Sequence, residues 1–230
     1  MEESFWEHIE DLRKRLIYSL LFFSIGSGAI YPISGKIIQT LSIPVGKTYF
    51  FAPQEALFIR IKVSMMFGFV LALPFIIHQL YIFIAPALTR VEKKYIAPLL
   101  IAVIAFFYGG VAVAYLIFLP YILKMLLSFQ METMIPLISI SKYIGFLMWL
   151  LAGFGIAFLM PVFSFLFSKL DILSPSILIK SWRVSIVTIL IFAAIITPTI
   201  DLVTMMIASI PLFFLYFVSI GASFLARIGR

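Results

Sequence analysis

Residues 143–167 read YIGFLMWLLAGFGIAFLMPVFSFLF, twenty-five positions without a charged side chain. A helix of roughly 20 apolar residues crosses a hydrocarbon core of about 30 Å, so this stretch is long enough to span a bilayer. Comparable apolar runs lie at 16–33, 61–84, 95–119, 184–196 and 202–225, divided by Pro, Gly, Ser or charge clusters. Hydrophobic residues form 63% of the 230-residue chain and charged residues 12%, too apolar a mixture for an ordinary water-facing surface. The expected fold is all-α. It is a polytopic bundle of six transmembrane helices in one membrane domain, 1–230, with residues 1–15 as an amphipathic leader.

Charge sets the expected orientation. One alternate set of connections holds Arg13, Lys14, Arg15, Arg90, Lys93, Lys94, Lys169, Lys180, Arg183, Arg227 and Arg230; the other holds Lys36, Lys47, Arg60, Lys62, Lys124 and Lys142. Cytoplasmic loops carry the excess of Lys and Arg, so eleven against six places both termini in the cytoplasm. The net charge of +7 is then an orientation signal rather than a mark of nucleic-acid binding. The first run follows an acid-rich leader and shows no small-x-small cleavage pattern, so it is expected to be retained as a span rather than removed as a signal.

The connections differ. Ser34 to Arg60 is long, still apolar and broken by Pro44, Gly46 and Pro53, which predicts short helices or a cap along the outer surface; Pro120 to Lys142 looks similar. Thr197 to Asp201 reads as a tight turn. The run 184–196 has 13 residues, about 20 Å as a helix, and predicts a final hairpin short for the bilayer. No internal repeat is apparent.

Enzyme signatures are missing. There is no Gly-Lys-Ser or Gly-Lys-Thr phosphate loop, no cysteine, and no histidine beyond His8 and His78, so nucleotide hydrolysis, metal, haem and thiol chemistry are not expected, and neither is a cofactor. Gly153-Phe154-Gly155 lies inside an apolar helix and reads as a close-packing face.

Ahead of the first span, Ser4 and Glu7 have the spacing of an N-cap and its capping-box partner. Phe5, Ile9, Leu12 and Leu16 form one apolar stripe, which predicts a helix lying in the interface that then turns into the first span. Its acids have a bland explanation. Asp11 can pair with Lys14 or Arg15, and Glu10 with Lys14, at i, i+3 or i+4 spacing. In the next connection on that side, Glu92 is the sole acid beside Arg90, Lys93 and Lys94; it is either a local charge partner or faces a cationic ligand.

These two clusters carry a family resemblance. His8-Ile9-Glu10-Asp11-Leu12-Arg13-Lys14-Arg15-Leu16 resembles the H-L-x-E-L-R-x-R-L leader of the TatC family, the multispanning receptor of the twin-arginine protein translocase. The segment Pro74 to Leu88 followed by Glu92 resembles that family's second segment. Gly109 with Tyr115 to Pro120, Phe154 to Phe158 with Pro161, and Thr197-Pro198 with Asp201 extend the resemblance over nearly the whole chain.

The resemblance implies a signal-peptide receptor and core translocase subunit in the cytoplasmic (inner) membrane, exporting folded proteins with the proton-motive force. It implies that Asp11 and Glu92 bind the paired arginines of a signal peptide, with Glu10 as an alternative acid, Arg13 and Arg15 shaping the site, and Gln79 and Pro86 on its membrane side. Guanidinium and carboxylate suit each other as charge-assisted, bidentate partners. Phe83, Pro161, Pro198 and Asp201 are implied as structural or partner-contact positions. Single-span TatA-like or TatB-like subunits, the bilayer and further copies of the chain are the implied partners. Three positions depart from the pattern: Asp11 is one methylene shorter than the usual Glu, and Leu159 and Met205 stand where the family often has Glu and Gln. Two other classes fit the composition, a secondary transporter of a small solute and a structural membrane scaffold.

Overall fold

The computed structural model describes residues 2–87, 90–128, 137–197 and 202–227, with side chains except at 2–5, 87, 90–95 and 97. The helices are α1 (Glu2–Ile30), α2 (Ser34–Ser42), α3 (Glu55–Ile84), α4 (Arg90–Val113), α5 (Leu119–Ser128), α6 (Ile140–Ala157), α7 (Met160–Lys169), α8 (Pro175–Lys180), α9 (Trp182–Ile196) and α10 (Leu202–Arg227). Among the described residues, five helical segments are long and apolar enough to cross a membrane: Trp6–Val45, Glu55–Ile84, Pro98–Ser128, Ile140–Lys169 and Leu202–Arg227. The remaining apolar helix, α9, has 15 residues, about 22 Å.

The chain forms two compact units, one of 1–104 with 137–144, the other of 105–136 with 145–230. In the first, α1 and α3 run antiparallel. The Phe22 and Phe75 rings stack with centroids 4.5 Å apart, and a Cβ placed on Gly26 would sit 2.9 Å from the Gly68 carbonyl oxygen. Small residues at such a crossing let backbones touch, which is how helices associate in lipid, where apolar burial supplies no drive. The connection after α1 does form short helical pieces, as its sequence predicts, in 3₁₀ turns at Tyr31–Ile33 and Ile43–Val45 flanking α2. It also holds a strand, β1 (Thr48–Tyr49), paired in parallel with β2 (Ile138–Ser139), a small exception to the all-α expectation. The buried Tyr143 hydroxyl donates to the Leu41 carbonyl at 2.6 Å beside it.

Helix α1 corrects the reading of the leader. It is one helix from Glu2, so Ser4 is not its N-cap and the chain does not turn between leader and span. The cause is local: residues 5–25 contain neither Gly nor Pro. The apolar stripe is also reversed. Ile9, Leu12 and Leu16 are exposed, while Asp11, Arg15, Ser19, Phe22 and Gly26 face inward.

In the second unit, the third and fourth spans are not the uninterrupted helices expected. A π-helical turn, Ala114–Phe118, precedes Pro120, and the helix continues to Ser128 rather than ending at 119. Proline lacks an N–H and its ring crowds the carbonyl four residues back, which a widened turn relieves. The fourth span breaks at Phe158–Leu159, where Leu159 N donates to Ile156 O at 3.0 Å, and the buried Pro161 sits in the first turn of α7. Glycines seat this break. A Cβ on Gly110 would lie 2.6 Å from the Phe154 carbonyl oxygen, and one on Gly155 would lie 2.7 Å from the Phe107 ring.

Helix α10 runs parallel to α7 along a polar seam. Ser164 Oγ donates to Ser219 O at 2.8 Å, the Ser168 and Ser223 hydroxyls meet at 2.5 Å, and Lys169 Nζ donates to Ala226 O at 3.2 Å. The expected short hairpin is short in one arm only: α10 has 26 residues, about 39 Å, against 15 in α9.

Candidate functional site

The inward face of the leader meets the far end of α3. Arg15 lies at their crossing. Its Nε stands 3.2 Å from Asp11 Oδ1, one helical turn back, and its NH1 donates to Gln79 Oε1 of α3 at 3.4 Å. Nε is buried with no aligned acceptor, so its contact with Asp11 is electrostatic rather than a hydrogen bond. One turn nearer the N-terminus the His8 imidazole stacks on Phe83 with ring centroids 4.6 Å apart. This clamps the leader to α3 on both sides of Asp11.

The two acids of the leader differ in setting. The Glu10 carboxylate bonds Lys14 Nζ at 2.9 Å with both side chains about three-fifths exposed (64% and 60%). The hydrogen bond from Lys14, and then its charge, hold the Glu10 carboxyl below its usual range, and the same bond raises the Lys14 ammonium. Asp11 and Arg15 are more enclosed, with side chains 35% and 28% exposed. An i, i+4 pair of this kind contributes about 0.3–0.5 kcal/mol. A carboxylate has about four lone-pair sites, so one contact with Arg15 leaves Asp11 able to accept from a further cation.

The other residues singled out by sequence fall as follows. Arg13 is exposed on the outer side of α1. Pro86 is exposed in the 3₁₀ turn Ala85–Ala87 that ends α3, and Phe83 is half-buried just before it. Glu92 is the third residue of α4, and its side chain lies outside the described ones. Negative charge in a first turn is favoured by the helix dipole. Pro161 is far along the chain in the other unit, and Pro198 and Asp201 lie outside the described residues. The structure thus brings together Asp11, Arg15, Gln79, Phe83 and, unforeseen, His8 as the ring on Phe83. The four-residue spacing of Ser164 with Ser168 and of Ser219 with Ser223 was a legible but unused signal for the seam.

Apolar helices of membrane-spanning length, with a charged cluster where the first two long ones meet, define a polytopic membrane protein. Residues 7–211 match the family described as TatC, Sec-independent protein translocase protein. The chain belongs to the TatC family. It is 38% identical to the Sec-independent protein translocase protein TatC of Aquifex aeolicus over 222 residues, covering 93% of this chain and 92% of that protein. It is 36% identical over 217 residues to the tatC-like protein ycf43 of Gracilaria tenuistipitata var. liui, covering 94% and 91%. A crystal structure of the twin-arginine translocase receptor TatC superposes with a TM-score of 0.82 at 36% identity, covering 95% of this chain and 99% of that one. A second, in the detergent DDM, gives 0.83 at 37%, covering 96% and 100%.

Proposed function

We propose that this chain is the signal-peptide receptor and core subunit of a twin-arginine translocase, exporting folded proteins across the inner membrane under the proton-motive force. It acts as one membrane domain of six spans, with both termini in the cytoplasm as the Lys and Arg distribution favours. The supporting observation is the half-buried Asp11, paired with an Arg15 that is itself bonded to Gln79 where leader and α3 meet. Glu92 follows a few residues beyond the end of α3, in the first turn of α4.

In this reading Asp11 and Glu92 receive the two guanidinium groups of the signal, and Arg15, fixed by Gln79, orients the Asp11 carboxylate at the crossing. Glu10 and Arg13 tune the field from the exposed side, and Pro86 ends α3 so that Glu92 can follow. Phe83, Pro161, Pro198 and Asp201 serve packing or partner contact. Single-span TatA-like or TatB-like subunits and further copies complete the complex, with Leu159 and Met205 supplying no polar group to that contact.

Crosslinking and binding of a twin-arginine signal peptide test the assignment. At about 4 Å and an effective dielectric of about 20 each contact reaches roughly 4 kcal/mol before desolvation, so each carboxylate should retain about tenfold in affinity. Asp11→Ala and Glu92→Ala should each weaken binding by that order, Lys36→Ala should not, and changing the peptide arginines to lysines should abolish contact near both acids. Unchanged binding in a triple alanine variant at Glu10, Asp11 and Glu92 would remove the site.

A further inference from the structure

The connection between α7 and α9 is built as a rigid shelf rather than a slack loop. Ser174 caps α8, its Oγ accepting from Ile177 N at 3.3 Å, with Pro175 in the first turn. The Tyr216 hydroxyl of α10 donates to the Leu178 carbonyl at 2.6 Å. Before α8, Asp171 takes a left-handed conformation (φ 59°), and Ile172 N donates to Phe167 O at 2.9 Å, closing the end of α7. With these ties in place, Leu178 is half-buried while Ile177, Ile179 and Trp182 are each about half exposed (50%, 48% and 51%).

Charge on the shelf is one-sided. From residue 169 to 183 the chain has Lys169, Lys180 and Arg183 against Asp171 alone. Asp171 faces Arg227 at 3.9 Å, and Lys169 reaches the Ala226 carbonyl. Lys180 and Arg183 are exposed and, among the described residues, make no ion pair; the Arg183 guanidinium lies 5.5 Å from the centre of the Trp182 ring. Exposed isoleucines, a tryptophan and two cations without an ion pair, all within residues 177–183, have the chemistry of the lipid interface. Apolar side chains enter the acyl boundary, tryptophan sits at headgroup depth, and basic side chains extend to phosphate. Helix α9 starts here and is about 8 Å short of a 30 Å hydrocarbon core, so its first turn needs lipid headgroups drawn to it.

We infer that Lys180, Trp182 and Arg183, with the neighbouring exposed Ile177 and Ile179, form a binding site for the headgroup of an anionic phospholipid. The inference stands on α8 and α9 alone and does not depend on the signal-peptide reading.

The chain has no cysteine, so Val184→Cys, exposed beside the site and not part of it, takes a single fluorescent label. The labelled full chain in phosphatidylcholine nanodiscs is titrated with nitroxide-bearing phosphatidylglycerol or, in parallel, nitroxide-bearing phosphatidylcholine. Each basic residue near an anionic surface contributes a factor of about five, so phosphatidylglycerol should half-quench at a mole fraction roughly 5–30-fold lower. Lys180→Gln with Arg183→Gln should make the two lipids equal. Lys180→Arg with Arg183→Lys, which keeps both charges, should restore the preference, and Lys36→Gln with Lys47→Gln should leave it intact. Equal quenching by both lipids in the unsubstituted chain, or a preference that survives the double glutamine variant, would overturn the inference.

Discussion

A methyl group at Gly68 tests how closely α1 and α3 pack. Its Cβ would lie 2.5 Å from both N and Cα of Ser27, where about 3.5–4.0 Å is comfortable, and backbone atoms cannot rotate away. The two helices must separate by about 1 Å at the crossing. A gap of that size forfeits a quarter to a half of the dispersion attraction between the facing surfaces, and overpacking of this sort costs about 1–3 kcal/mol. Alanine in place of glycine favours the helix itself by about 1 kcal/mol, leaving a net loss of up to about 2 kcal/mol for Gly68→Ala. Gly28, on α1 close to that crossing, has nothing within 4 Å of an added Cβ, so Gly28→Ala keeps only the helix-forming gain. The same substitution should therefore act with opposite signs. In thermal unfolding of the purified protein, at about 2–4 °C per kcal/mol, Gly68→Ala should lower Tm by up to about 8 °C while Gly28→Ala holds or raises it. A Gly68→Ala variant at least as stable as Gly28→Ala would refute the close α1–α3 crossing.

Two further outcomes follow from the polar contacts. Ser168→Ala strands the fully buried Ser223 hydroxyl and should cost about 0.6–2 kcal/mol, whereas Ser168→Ala with Ser223→Ala should cost less than the sum of the singles; strict additivity in thermal unfolding would refute the seam. The Glu10 carboxyl should titrate below its usual value by NMR, and Lys14→Gln should move it upward. Its folded pKa is depressed, so the pair's contribution is present above the unfolded pKa and fades as pH falls through the folded one. On so exposed a pair Glu10→Gln should leave Tm unchanged, and a clear loss would contradict the geometry.

Much of the architecture was legible because hydropathy is a property of each segment by itself. The apolar runs appear as helices near their expected places, and the short run before the last turn is short in the structure. Proline gave a local signal whose form was missed: Pro120 and Pro161 produce a widened turn and a break rather than an end of the helix. The pairing of Asp11 with Arg15 was one of two open choices, settled by which face of α1 meets α3.

By itself the sequence determined a multispanning membrane protein, its TatC family and the charged leader, since composition, motif order and spacing need no partner. Only the tertiary structure decided which side of that leader turns inward. In a water-soluble protein the apolar stripe Ile9, Leu12 and Leu16 would be buried; beside a membrane it stays exposed, because the interface can cover it. The inward face instead goes to the groups that lipid cannot satisfy or that let backbones approach: Asp11, Arg15 and Gly26. Their partners Gln79 and Gly68 belong to another helix, so no local pattern in α1 specifies them.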